Sequence, residues 1–118
     1  MSSPLVQYIL VIREAMNGWT TGAIIAQACH AVTKCTSTFF TDPHMTLYMS
    51  NENISQMRKV VLGCSRNEWE TIKEKANKMG ADYCEWTEQP EDVVTCVAFK
   101  PAFKDSIGHL FSGLKLFS

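Results

Sequence analysis

The stretch Val6-Gln-Tyr-Ile-Leu-Val-Ile12, the loop Asn17-Gly-Trp-Thr-Thr-Gly22 and the segment Ala23-Ile-Ile-Ala-Gln-Ala-Cys-His-Ala-Val-Thr-Lys-Cys35 together decide the fold. The first piece is a nearly continuous run of β-forming apolar residues, the pattern of a central strand buried on both faces. The loop breaks that pattern with Asn-Gly and paired threonines. A hydroxyl at Thr20 or Thr21 can accept from the free N–H groups of a helix's first turn. Ile25, Ala28, Cys29, Val32, Cys35 and Phe39 then recur at three- and four-residue spacing. This spacing predicts a helix to about Ser37 with one core-facing stripe. The opposite side carries Gln27, His30, Lys34 and Ser37, flanked by Ala23, Ala26 and Ala31, whose small side chains let a ligand or second surface come close.

Outward from that junction, Thr41 to Asn53 is polar, contains Pro43, and accommodates a short helix around Met45 to Met49. Lys59 to Cys64 reads as a second buried strand. Ser65-Arg-Asn-Glu68 has the form of a capping box, in which Ser and Glu satisfy each other's backbone donors. The helix it starts is expected to bury Trp69, Ile72, Ala76 and Met79 and to stop at Gly80. Ala81 to Glu88 gives a third strand, Gln89 to Asp92 a turn, and Val93 to Phe99 a fourth strand. A last short helix is expected from Phe103 to about Phe111, and the tail from Leu114 to Phe117 to pack back on the body. Helices between the early strands imply parallel crossovers, while the short link between the third and fourth implies a hairpin. The prediction is a single α/β domain over residues 1–118, a mixed four-stranded β-sheet with helices on both faces.

A chain of 118 residues with 46% apolar residues buries a core without a disulfide or metal staple. The net charge of −1 excludes bulk attraction to nucleic acid, so RNA affinity has to come from local Lys and Arg. The five cysteines are odd in number, none pairs as C-x-x-C, and none has a histidine at zinc-finger spacing. Reduced thiols in a reducing compartment follow, with no metal and no cofactor. The N-terminal apolar run is too short for a signal peptide and no stretch is long enough to span a bilayer, so the expected location is cytoplasmic, without membrane contact.

In open α/β sheets ligands gather at the carboxyl ends of strands, and a helix N-terminus there favours anions. Thr20, Thr21 and Gly22 are therefore candidate substrate-binding residues, although the loop is neither a P-loop nor a GxGxxG turn. Gln27 and His30, three apart, share a helix face. An imidazole can move protons near neutrality and an amide can orient a water or carbonyl. An ordinary capped helix start and a solvated polar face are the plainer alternatives. Glu88 in the acidic turn could supply a carboxylate at the same edge, or belong to a solvated hairpin. Thr95, a hydroxyl inside an apolar strand, needs a partner. Lys34 and Lys100 are candidate cations for a substrate.

Tyr8-Ile-Leu-Val-Ile-Arg13, the Gly-containing loop and Gly22-Ala-Ile-Ile-Ala-Gln27-Ala-Cys-His30-Ala31 resemble the opening of the type 2 peptidyl-tRNA hydrolases, with their A-Q-x-x-H-A helix. Lys59-Val-Val-Leu62 is similar to that family's second strand, Val94-Thr95-Cys-Val-Ala-Phe-Lys-Pro101 to its last core strand, and Gly113-Leu-Lys-Leu-Phe117 to its ending. The match is closest to a divergent branch sharing Met57-Arg-Lys-Val-Val-Leu62 and the Trp86-x-Glu88-Gln-Pro-Glu91 turn. The resemblance implies hydrolysis of the ester between a peptide and tRNA, a tRNA or peptidyl-tRNA partner, and allows a homodimer. It assigns catalytic positions to Gln27, His30 and Thr95. The family's loop lysines fall on Thr21 and Ala23, and its Asp after the third strand has no aligned residue, which leaves Glu88 as the nearest carboxylate. An alternative follows from these departures: a tRNA- or protein-binding module that keeps the fold without the chemistry.

Overall fold

The computed structural model describes residues 3–118. In chain order the elements are β1 (Leu5–Ile12), α1 (Thr21–Thr38), α2 (Pro43–Tyr48), β2 (Lys59–Cys64), α3 (Arg66–Met79), β3 (Tyr83–Glu88), β4 (Val93–Phe99), β5 (Ala102–Phe103), α4 (Lys104–Ile107) and β6 (Lys115–Leu116). The sheet runs β3-β4-β1-β2-β6, with β5 pairing the start of β1. Among the described residues only β1 and β2 are parallel; every other pairing is antiparallel. The four expected strands are present and the sheet is mixed. Two further strands of two residues each bring the number to six among the described residues. β6 covers part of the outer edge of β2, which would otherwise offer unpaired backbone groups.

β1 is buried along its whole length because both faces are covered. Val6, Tyr8, Leu10 and Ile12 face α3 and pack with Leu62, Trp69, Val97 and Phe99. Ile9 and Val11 face α1 and pack with Ala31, Cys35, Cys84, Cys96 and Ala98. α3 starts from the Ser65–Glu68 capping box and stops at Gly80, whose φ of 74° is the left-handed turn glycine accepts without strain. The tail does pack back, through Phe117 N–H donating to Val61 O at 2.9 Å.

Three expectations are corrected. The core stripe of α1 is rotated: Gln27, Ala31 and Cys35 are buried, whereas Ile25 is 57% exposed and Cys29 is exposed. The cause is that α1 lies over β3 and β4 rather than centrally over the sheet. Met79, expected inside, is 44% exposed because it falls in the last turn of α3. The last helix is α4 followed by a separate 3₁₀ turn, Gly108–Phe111, starting one residue after Phe103.

Candidate active site

α1 begins beyond the carboxyl end of β1 and passes back across the hairpin of β3 and β4. Strand alternation turns Cys84, Trp86 and Glu88 of β3 toward α1 and turns Glu85 toward α3, where it accepts from Trp69 Nε1 at 2.8 Å and Lys73 Nζ at 3.1 Å. Opposite them β4 carries a bulge: Trp86 pairs with Cys96 but Thr87 pairs with Val94, leaving Thr95 as the extra residue. A bulge re-aims a side chain that a regular ladder would send to the other face. Val94 accordingly packs with the α3-side core, while Thr95 reaches a residue of α1.

The result is a continuous hydrogen-bonded chain. Thr95 Oγ1 donates to Gln27 Oε1 at 2.7 Å, and Gln27 Nε2 donates to Glu88 Oε2 at 3.1 Å. The other carboxylate oxygen, Glu88 Oε1, accepts from Trp86 Nε1 at 3.2 Å. His30, exposed on the next turn of α1, stacks on Trp86 with ring centroids 4.6 Å apart and planes 27° apart. Thr95 and Gln27 are buried, at 0% and 3% exposure, so each polar atom needs its partner. A carboxylate only accepts, so the amide nitrogen must face Glu88, and the amide oxygen is left to accept from the Thr95 hydroxyl. Glu88 is half-buried, held by one N–H donor on each oxygen, with lone pairs left for a water. Gln27, His30, Glu88 and Thr95 are thus brought together, with Trp86 as the joint.

Thr20 accepts from Ala23 N–H at 3.2 Å and caps α1, and Thr21 and Gly22 are exposed beside it. Lys34 lies one turn past His30 and donates to Glu85 O at 3.0 Å. Lys100 is not part of this group. It is five residues from Thr95, about 17 Å along an extended strand, and bridges Asp42 at 2.8 Å and Asp82 at 3.1 Å. Burial alone would pull its pKa down, but the two carboxylates outweigh that and raise it. Lys100 therefore stitches α2 to the β3 end of the sheet instead of facing a substrate.

The sequence places Trp86 in the third strand and its turn but not among the site residues, although the spacing Cys84-x-Trp86-x-Glu88 carries the signal that all three share one strand face. Arg66 is a second addition at the same edge, its Nη2 donating to Val94 O at 3.1 Å. Among the described residues no group of three or more His, Cys, Asp or Glu could hold a metal ion. Cys35, Cys64 and Cys96 are buried, and burial pushes each thiol up to about 12.

A profile of the peptidyl-tRNA hydrolase PTH2 family matches residues 6–117. A human protein named "Putative peptidyl-tRNA hydrolase PTRHD1" is 36% identical over 96% of this chain and 82% of its own length. The mouse protein of the same name is 35% identical with the same coverage. A solved structure of a protein of unknown function from Agrobacterium tumefaciens strain C58 superposes with a TM-score of 0.67. It covers 97% of this chain and 98% of that one at 9% identity, a likeness of fold alone.

Proposed function

Because the chain belongs to the peptidyl-tRNA hydrolase PTH2 family, we propose that it hydrolyses the ester joining a peptide's C-terminal carbonyl to the terminal ribose of tRNA. The observation that carries this reading is the Thr95–Gln27–Glu88–Trp86 chain, which ends on a half-buried carboxylate at the edge of the sheet. Glu88 takes a proton from a water as its oxygen attacks the ester carbonyl. It returns that proton to the ribose oxygen as the acyl–oxygen bond breaks. Gln27 and Thr95 are too buried to touch substrate and act through Glu88 as positioning residues.

The helix N-terminus serves a different part of the substrate. Thr21 precedes Gln27 by six residues, about 9 Å along the axis, too far to polarise a carbonyl held at Glu88. That distance suits a phosphate of the terminal nucleotides, which the free N–H groups and positive dipole end favour. His30, exposed, stacks on Trp86, the residue whose indole N–H holds the same carboxylate. The reaction belongs in the cytoplasm, where five free thiols stay reduced.

The test is discharge of N-blocked aminoacyl-tRNA. Wild type cleaves the ester and Glu88→Gln lowers kcat by about 10²-fold or more, the usual share of a general base. Intact ester at high enzyme concentration, in a preparation where a known hydrolase cleaves it, refutes the proposal. One observation favours a second reading, a tRNA-binding module without turnover: Thr21 and Ala23 stand where the family's loop lysines fall. That module binds tRNA with an affinity that falls steeply with salt, through counterion release, and leaves the ester intact.

A further inference from the structure

On the α1 side the cover stops short of β2, since α1 lies over β3 and β4 and reaches only as far as β1. Over β1 and β2 there remains a groove of about 420 Å³, on the flank of α1 away from Gln27 and His30. Its floor is Ile9, Val11 and Val61, and its wall is Ile24, Ala28 and Val32 of α1. Ile9 and Val11 are 2% and 1% exposed, so they back the groove from within the core, and its open floor is Val61. Phe117 also lines it, with the Arg13 guanidinium 4.9 Å above its ring. Arg13 lies so close over Gly63 that a side chain there would collide with it.

The other end is marked by Lys59, the one charged residue lining the groove. Its Nζ donates to Gln7 Oε1 and, at 3.5 Å, to the Tyr48 hydroxyl, both uncharged. Among the described residues it forms no salt bridge, whereas Lys73, Lys78 and Lys100 each have a carboxylate. Lys59 is exposed as a residue, yet desolvation of its ammonium against the core, opposed by Cys35, holds the pKa below the ordinary lysine value. From Lys59 to the level of Val11, which pairs with Gly63, the groove runs about 13 Å, four residues of strand. An apolar groove of that length, ended by a cation that lies 4.9 Å over the Tyr48 ring and meets no carboxylate among the described residues, complements an amphiphile with a single anionic head.

We propose that this groove binds a medium-chain carboxylate, its alkyl chain lying over Ile9, Val11 and Val61 and its head on Lys59. A peptide is the poorer occupant, because its backbone N–H and C=O groups would meet almost no partner along these walls. Part of the outer edge of β2 is already paired by β6, which limits strand addition there. The thiol of Cys29 is exposed and lines the groove, which places a reporter at the site.

The test uses decanoate, its neutral analogue decanol and the full chain. Decanoate is expected to protect Cys29 from a thiol reagent saturably, below the concentration at which it forms micelles. Lys59→Met should weaken decanoate at least tenfold and leave decanol unchanged, and Lys59→Arg should restore the difference. Ala28→Trp fills the groove and should abolish protection by both; if that variant does not fold, the Lys59 pair still decides. Absence of saturable protection, or equal affinity of wild type and Lys59→Met for decanoate, overturns the proposal. So does a peptide with an apolar C-terminus that binds more tightly than decanoate. A dimer that decanoate cannot dissociate and Ala28→Trp converts to monomer would assign the groove to a second copy and also overturn it.

Discussion

Thr95→Val is the sharpest perturbation of the site, since it keeps shape and removes one proton donor. In the folded protein it leaves Gln27 Oε1, on a residue 3% exposed, without its 2.7 Å partner. An orphaned buried acceptor costs about 1–3 kcal/mol. For a domain of this size the unfolding entropy is on the order of 0.25 kcal/mol per kelvin, so Tm should fall by about 4–12 °C. Gln27→Met strands the same bond from the other end, orphaning the Thr95 hydroxyl and removing one donor from Glu88. In the double variant neither end of the Thr95–Gln27 bond remains, and replacing both partners by apolar groups is close to neutral. The double variant should therefore be more stable than the sum of the two losses predicts, by about 1–2 kcal/mol. Urea unfolding followed by circular dichroism on the four proteins measures this directly. Additivity within about 0.5 kcal/mol, or a negligible effect of Thr95→Val alone, would refute the buried relay. In the discharge assay Thr95→Val should lower kcat with little change in KM, and Thr95→Ser should recover it.

Trp86→Phe keeps an aromatic face for His30 but removes the indole N–H to Glu88, so kcat should fall while the His30 ring keeps its stack; an unchanged kcat would separate Trp86 from the carboxylate's orientation. In native protein one thiol, Cys29, should be labelled rapidly, because the other four are buried and burial holds Cys35, Cys64 and Cys96 at about 12; mass spectrometry after brief labelling reads the site, and fast modification of any of the four buried thiols contradicts the packing. Lys100→Met should destabilise the fold by about 1–2 kcal/mol, as a partly buried ion pair loses its cation. Burial pushes the Asp42 carboxyl up, but Lys100 and the His44 and Met45 N–H groups outweigh it and lower the pKa, so its contribution exists above 3.8 and is lost as pH falls through the folded value. The Lys100 contribution exists below 10.5 and is lost as pH rises through its raised folded value. The difference between wild type and variant should therefore be flat between those limits and shrink outside them in urea titrations.

The scaffold was legible because its signals are local. The apolar run of β1, the Ser65–Glu68 box and the Gly80 stop each state an element and one of its ends without reference to distant residues. The face of α1 was less legible. A three-and-four spacing identifies an apolar stripe, but Ile24, Ile25, Ala28 and Cys29 form one that borders a groove, while Ala31 and Cys35 form the one that is buried. Which stripe is covered depends on where α1 crosses the sheet, a tertiary fact with no local signature. Gln27 is therefore inside, although a polar residue on a helix reads as exposed. Thr95 was flagged as needing a partner, and the structure supplies Gln27, 68 residues away in sequence. Lys100 misled because charge alone does not reveal that two carboxylates, Asp42 and Asp82, already hold it.

The bulge in β4 makes the site depend on a count as well as on chemistry. With one residue fewer between Val94 and Cys96 the ladder to β3 would run without interruption, and every contact of the two cores could persist. The threonine hydroxyl would be gone from the α1 face, Gln27 would lose the donor that orients it, and Glu88 would be held from one side only. A conservative change at Thr95 weakens the relay, whereas deleting Thr95 dismantles the relay and leaves the sheet intact. Strand length is thus a heritable parameter of this site, and an indel in β4 is a route by which a stable descendant of this fold could shed the arrangement in one step.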